Sequence, residues 1–420
     1  MKAPYSPSRR QYDDGGFRLR RQILESRDST PQEVLCQAEP AENEVTIHDE
    51  IAQGAKYVKE PATGLRRVPP YYFTYLTFCK GRWRDRTLID IFTSEFRDRE
   101  RSYYEYAISS GLVTVNRKIA DISTVIRNGD SISHRIHRHE PPVSVKPIEI
   151  VHEDEDMIVI DKPSGIPVHP TGRYRFNTIT EILKHEHGLV VHPCHRLDRL
   201  TSGIMFLAKQ AKAAQAMAER LRERTVFKDY VARVLGEFPD GEVTCDLPIL
   251  TVDPKIGLNR VKPEGKPATT VFNRLSFDGR SSVVRCRPLT GRTHQIRVHL
   301  QHLGHPILND PIYANRGVFG PALGKDGAGD DESIKEKLAL MGKHEHARSV
   351  AFDEIVKDYQ QRKGEKLTGE RCAECATELY SDPAPADLEL WLHALRYGSH
   401  EGLFEYETRM PAWAQPDFAL

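Results

Sequence analysis

An α+β fold built on a mainly antiparallel sheet is what the patterning of this chain predicts, and three observations carry it. Residues 148–151 and 157–160 are apolar, β-branched runs on either side of an acidic turn, and they read as paired strands. Residues 271–277 and 281–287 flank Asp278-Gly279-Arg280, a hairpin signal. Such antiparallel pairs outnumber any strand–helix–strand repeat, which argues against a doubly wound sheet.

Taken in order, residues 1–65 mix Pro, Gly, Ser and charge with few apolar clusters, so a disordered tail is expected. Arg9, Arg10, Arg18, Arg20 and Arg21 suggest a mitochondrial transit peptide, but Asp13 and Asp14 break that pattern. Residues 66–143 change character. Leu88, Ile91 and Phe92 share one helical face, and a second periodic stretch over 103–108 ends at Ser109-Ser110-Gly111, a C-cap pattern. Residues 112–116 read as a short strand turning at Asn116, and 130–133 as another. A small α/β domain is expected there. Arg97, Arg99, Arg101, Arg117, Lys118 and Arg127 are candidates for a phosphate-facing surface, with Tyr103 and Tyr104 as stacking platforms. Asp98 and Glu100 alternate with the arginines, which also suits a solvated face.

Residues 144–316 carry the main domain. A strand over 204–207 leads into a helix over 210–224, with Ala214, Met217, Ala218 and Leu221 at helical spacing. Residues 226–235 alternate like a strand, and 293–303 read as a helix. Residues 317–385 form an insertion rich in Lys, Glu and Asp, helical in part over 332–341, that contains Cys372-x-x-Cys375. Residues 386–420 form the last segment of the chain.

Composition narrows the class of partner. A formal net charge of +0 over 420 residues excludes a global basic field, so any nucleic-acid surface must be a local patch. It also argues against a ribosome-associated structural protein. Seven scattered cysteines suit reduced thiols, hence a cytoplasmic location, with the mitochondrion and nucleus as alternatives. No apolar run approaches the roughly 20 residues of a membrane helix, so no membrane partner is expected.

The chemistry concentrates in His195-Arg196-Leu197-Asp198-Arg199-Leu200-Thr201-Ser202-Gly203. One carboxylate stands between two arginines, which favours its ionised form, and such a group can serve as nucleophile or base without a metal. The common alternative for Asp beside Arg is a structural salt bridge.

Those nine residues resemble the H-R-L-D-x-x-T-S-G signature of the RluA-type pseudouridine synthases. Asp161-Lys162-Pro163-Ser164-Gly165-Ile166-Pro167-Val168-His169-Pro170 resembles that family's D-K-P-x-G-x-x-V-H-P loop, and Lys228-Asp229-Tyr230-Val231-Ala232 its K-x-Y-x-A strand. Thr290-Gly291-Arg292-Thr293-His294-Gln295-Ile296-Arg297-Val298-His299 and His305-Pro306-Ile307-Leu308-Asn309-Asp310 follow in the family's order. The resemblance implies a pseudouridine synthase fold, a bent mixed sheet around a cleft, preceded by a small RNA-binding domain. It implies isomerisation of uridine to pseudouridine with no cofactor. Asp198 is then the catalytic carboxylate, either attacking the anomeric carbon or removing the neighbouring 2′ proton. Arg297 is its partner, and Tyr230 packs against the base. Arg196 matches the residue that fills the space of the flipped base. Lys162, His169, Arg173, Arg199, Arg292 and His294, with Arg117 and Lys118, are candidate RNA contacts. Arg297 lies three residues after His294 and four before Gln301, so one helical face could present all three.

Further readings stay open. The C-x-x-C has His393 and His400 downstream, but Leu390-Trp391-Leu392-His393-Ala394 resembles the family's terminal strand, and no metal is expected. A fused deaminase would need H-x-E with P-C-x-x-C, and His185-Glu186-His187 and Pro193-Cys194 supply only fragments. Pro69-Pro70-Tyr71-Tyr72 resembles eukaryotic synthases that modify position 32 of the tRNA anticodon loop. Ribosomal RNA is the alternative substrate, and a non-catalytic RNA-binding or RNA-folding factor the alternative class.

Overall fold

The computed structural model describes residues 54–96, 99–254, 256–340 and 367–418. The tail expected over 1–65 therefore lies outside the described residues as far as 53, as does Arg97. Its last part is ordered. β1 (Val58–Glu60) pairs with β2 (Leu65–Arg67), which pairs with β7 (Val143–Ser144), so residue 65 is too late a boundary for a tail. The sequence signal missed here is weak, because both strands are only three residues long.

The small unit is a four-stranded sheet in the order β3 (Tyr71–Phe78), β6 (Ser131–Arg138), β4 (Val113–Val115), β5 (Lys118–Ile119). Against it lie α1 (Leu88–Glu95), whose N-cap Thr87 accepts the Asp90 N–H, and α2 (Arg101–Ser109), closed by Gly111 at φ +76°. Leu88, Ile91, Phe92, Tyr104, Ile108, Val113 and Ile132 form its core. Tyr104 is 1% exposed and donates to the Phe96 carbonyl, so it cannot stack on a base as expected. Asn116 and Arg117 both take positive φ, the backbone of a two-residue hairpin turn, and hold Arg117 and Lys118 out in solvent.

The main domain is α+β, as expected. β8 (Glu149–Glu153), β9 (Met157–Lys162), β11 (Ser202–Ala208), β12 (Val226–Leu235), β13 (Glu242–Asp246), β16 (Thr269–Phe277), β17 (Ser281–Pro288) and β20 (Leu392–Ser399) run in the order β13-β16-β17-β12-β20-β11-β9-β8. β10 (His192–Pro193) and β21 (Glu405–Glu407) attach at the side. Every pairing is antiparallel except that of β11 with β20. α3 (Ile179–His187) buries Ile179, Ile182 and Leu183 in one core with Ile158, Ile160, Ile204 and Phe206, and α4 (Ala211–Arg222) lays Ala214, Met217 and Leu221 against it. α5 (Gln295–His302) adds Ile296 and Leu300 to a second core with Val234, Phe272 and Val284.

β14 (Ile249–Asp253) and β15 (Leu258–Val261) form a separate hairpin. α6 (Arg316–Phe319) and α7 (Asp331–Leu340), in the charged insertion, pack with it through Val318, Phe319, Ile334 and Leu338. Later in the insertion β18 (Leu367–Arg371) and β19 (Glu378–Tyr380) make a short hairpin around the C-x-x-C.

Candidate active site

The motif 195–203 is an irregular loop fixed at several points. Half-buried His195 accepts the Phe206 N–H at 3.1 Å through Nε2, and desolvation pushes its pKa down to about 3, so it acts as a neutral strut. The Asp198 carbonyl accepts the Thr201 N–H at 3.1 Å, closing the turn. Gly203 then enters β11 at φ +110°, where an added Cβ would stand 2.2 Å from the Ala394 carbonyl oxygen of β20. Only glycine permits that approach.

Lys162 anchors the loop from below. Its Nζ donates to the carbonyls of Pro163, Arg199 and Thr201 at 2.9, 3.1 and 2.8 Å, and it is 0% exposed. The expectation that Lys162 touches RNA is therefore corrected. Sequence registers the charge of a lysine but not its burial, which here pushes its pKa down to about 7.

Asp198 is left at the surface of this frame with its side chain 28% exposed. Its Oδ2 lies 3.4 Å from Arg297 Nη1 and 3.5 Å from His294 Nε2, and Oδ1 has no protein partner among the described residues. These are loose contacts for charged groups. Burial pushes the carboxyl up, but His294, Arg297 and Arg196 together outweigh it and hold it below the ordinary carboxylate range. Burial and the Arg297 charge push His294 itself down to about 4, so at neutral pH the two guanidinium charges carry the effect.

Arg297 is held from behind. Asp310, fully buried, receives Nε at 2.7 Å and Nη2 at 2.9 Å, and also accepts the N–H groups of Ile312 and Tyr313. Burial disfavours the arginine charge, yet Asp310 and then Asp198 raise its pKa above the ordinary guanidinium value. Asp310 was legible only as the last residue of a matching block, with nothing to mark it as a partner of Arg297.

His294 reaches Asp198, but not by helical spacing. It is the N-cap of α5 at φ +57°, outside the helix, and Gln301 instead donates to the Tyr313 carbonyl. Tyr313 Oη accepts the Asn259 N–H at 3.2 Å and lies 2.9 Å from His294 Nδ1. With that hydroxyl proton given to Nδ1, the imidazole carries its own proton on Nε2, facing Asp198.

Tyr230 stands on β12 where a bulge interrupts the ladder with β20 between Asp229 and Tyr230. Such a bulge re-aims a side chain. Its hydroxyl meets that of buried Tyr397, and burial, with Asp198 nearby, pushes its pKa up to about 12. Asp229, the preceding residue, is 1% exposed and bound to Arg285 and Arg287.

The remaining candidates divide. Arg196 and His169 are exposed, and burial and then the Arg196 charge push the His169 pKa down. The Arg199 guanidinium lies 5.9 Å from the Tyr174 ring, and that of Arg173 4.7 Å from the ring of Tyr380. Arg292 lines an open cleft with Arg222, Arg224, Lys228, Arg287 and His400. None of the other five basic residues was a candidate RNA contact from sequence, because the cleft is assembled from separate segments. Arg117 and Lys118 belong to the small unit.

A family model described as RNA pseudouridylate synthase matches residues 156–302. The tRNA pseudouridine(32) synthase, mitochondrial, of Saccharomyces cerevisiae is 53% identical over 83% of this chain and 77% of its own length. Human pseudouridylate synthase RPUSD2 is 42% identical over 93% and 81%. The tRNA pseudouridine(31) synthase of Saccharomyces cerevisiae is 38% identical over 84% and 96%. The chain belongs to the RluA-type RNA pseudouridylate synthases. It is an RNA pseudouridine synthase, an isomerase. Among the described residues no helix is long and apolar enough to cross a membrane.

Proposed function

We propose that this chain isomerises uridine at position 32 of the tRNA anticodon loop, with Asp198 as the catalytic carboxylate. One observation carries the catalytic part: Asp198 is half-buried beside Arg297 and His294, and among the described residues its Oδ1 has no protein partner; the charges around it favour the carboxylate form. The relatives named above, two of them named as tRNA synthases at positions 32 and 31, support the substrate.

The reaction breaks the bond between C1′ of the ribose and N1 of uracil and rejoins C1′ to C5. The proton leaves C5 and one is gained at a ring nitrogen, so nothing is oxidised and no group donor is consumed. Asp198 starts it, by attacking C1′ or by taking the 2′ proton. Either route requires the carboxylate form, which the guanidinium charges favour. Arg297, fixed by Asp310, keeps the carboxylate in place without covering both its oxygens. Tyr230 offers a ring face to the base, and Arg196 stacks where the flipped base leaves a gap. Arg292 and the basic cleft hold the phosphates, and the small unit adds Arg117 and Lys118. The scattered reduced cysteines favour a cytoplasmic location, with the mitochondrion, in which the relative 53% identical to this chain is named, and the nucleus as alternatives. Cell fractionation tests that, and an exclusively mitochondrial signal would overturn it.

The experiment is tritium release from transcripts labelled at C5 of uracil, followed by chemical mapping of the modified position. Release from tRNA that maps to position 32 is expected. Release mapping to position 31 or confined to ribosomal RNA would keep the enzyme and replace the target. Tight binding without release from either RNA would favour a binding factor.

A further inference from the structure

The C-x-x-C hairpin meets two histidines from the other end of the chain. His137, the next-to-last residue of β6, and His139, just beyond the strand, bring one ring nitrogen each to the two cysteines, and all four ligand atoms lie within 4.8 Å of one another. Cys372 Sγ is 3.5 Å from His137 Nδ1, and Cys375 Sγ is 3.4 Å from His139 Nε2. Bond lengths of about 2.3 Å to sulfur and 2.0–2.1 Å to nitrogen in a tetrahedron give S···N edges of about 3.6 Å. His393 and His400, the companions considered from sequence, are engaged elsewhere: His393 bonds Ser202 and Thr408, and His400 packs on Phe227.

The surroundings are those of a metal knuckle. Cys372 N–H donates to the Thr377 carbonyl and Ala376 N–H to the Cys372 carbonyl, both at 2.9 Å, and Ala376 takes φ +53° to close the turn. The backbone N–H groups of Glu374 and Cys375 address Cys372 Sγ. His137 turns its other nitrogen, Nε2, to the Glu374 carboxylate at 3.5 Å, the outer contact that metal-bound imidazoles commonly make. Both cysteines are free thiols. More than 200 residues separate the two pairs, so local chain geometry does not bring them together.

We propose that His137, His139, Cys372 and Cys375 form a structural Cys₂His₂ zinc site that staples the β18–β19 hairpin to the end of β6. Two thiolates and two neutral imidazoles neutralise Zn²⁺, and four protein ligands leave no open position for chemistry. The staple sits where the small unit passes into the main domain. Next to it Arg138 donates to the Gly172 and Arg173 carbonyls, and Arg173 lies over Tyr380 of the stapled hairpin. The metal thus fixes a turn that carries a candidate RNA contact.

The test is the metal content of the full chain purified without chelator, together with cobalt(II) titration of the metal-free chain. One equivalent of zinc per chain is expected, lost in Cys372→Ser/Cys375→Ser and in His137→Asn/His139→Asn. Cobalt(II) should give the thiolate charge-transfer and intense visible bands of a tetrahedral site in the wild type and in neither double variant. If the variants do not fold, the wild-type cobalt spectrum and zinc protection of Cys372 and Cys375 from alkylation decide the matter. A wild-type chain with no zinc and no such spectrum would overturn the proposal. So would zinc retained by both folded double variants, or a Cys372–Cys375 disulfide in the purified chain.

Discussion

Asp198 and Asp229 are each flanked by two arginines, yet the molecule uses them differently. Asp229 is 1% exposed, and its two oxygens are taken separately by Arg285 and Arg287 from the neighbouring strand β17. Asp198 is 28% exposed and touches Arg297 and His294 only at 3.4 and 3.5 Å through one oxygen, and the other has no protein partner among the described residues. The tight clamp on Arg297 comes from a third carboxylate, Asp310. On the proposed assignment, one aspartate among arginines is a sheet fastener and the other a reactive group. What separates them is whether the arginine is already satisfied from behind.

The largest effect that would sharpen this contrast is on turnover. Asp198→Asn should lower single-turnover product formation by roughly 10²–10⁴-fold or more while tRNA affinity stays close to wild type, as read by tritium release and filter binding. Next comes Asp310→Asn, which frees Arg297 without touching the substrate. A loss of roughly 10²-fold in kcat with KM little changed is expected, since small displacements of a positioned group cost about that much. An effect confined to KM would mean that Arg297 binds RNA rather than positioning Asp198.

A third prediction separates stability from catalysis. Burial holds His195 near about 3 and His294, His299 and His393 near about 4. These folded-state values lie below the unfolded one of about 6.5. The stability they contribute is complete above that value and is lost as pH falls from there toward about 4. Asp198 is shifted the same way and stays ionised through that window. The melting temperature should therefore fall between roughly pH 6.5 and 4 while the turnover of still-folded enzyme holds. A turnover loss near pH 6 in fully folded protein would point to a different titrating group.

The smallest effect belongs to the cleft. Arg292→Ala should weaken tRNA binding several-fold and flatten the salt dependence by about one, with kcat unchanged.

Much of this was readable in the chain because the loop proposed to be reactive is contiguous. Residues 195–203 hold the carboxylate, the half-buried His195 and the glycine that β20 requires, so a local pattern carries nearly the whole motif. The helices α1 and α2 and the hairpin β16–β17 announced themselves by period and turn residues. What stayed hidden depends on burial or on distant partners. Lys162 and Tyr104 looked like surface contacts because their residue types suit RNA, and only packing places them inside. The Asp310 clamp joins residues 13 positions apart across a helix and a loop. His137 and His139 carry no mark of the cysteines they meet, because that pairing exists only once the inserted hairpin has folded back.

The most direct measurement of the central contrast pairs Asp198→Asn with Asp229→Asn. Single-turnover rate and melting temperature are recorded for each under the same conditions. A crossed result is predicted: Asp198→Asn loses rate and keeps its melting temperature. Asp229→Asn keeps the rate of its folded fraction and loses about 1–3 kcal/mol of stability, as expected when buried hydrogen bonds to half-exposed arginines are weakened. If Asp229→Asn abolished turnover while Asp198→Asn merely unfolded sooner, the assignment of the two aspartates would be contradicted.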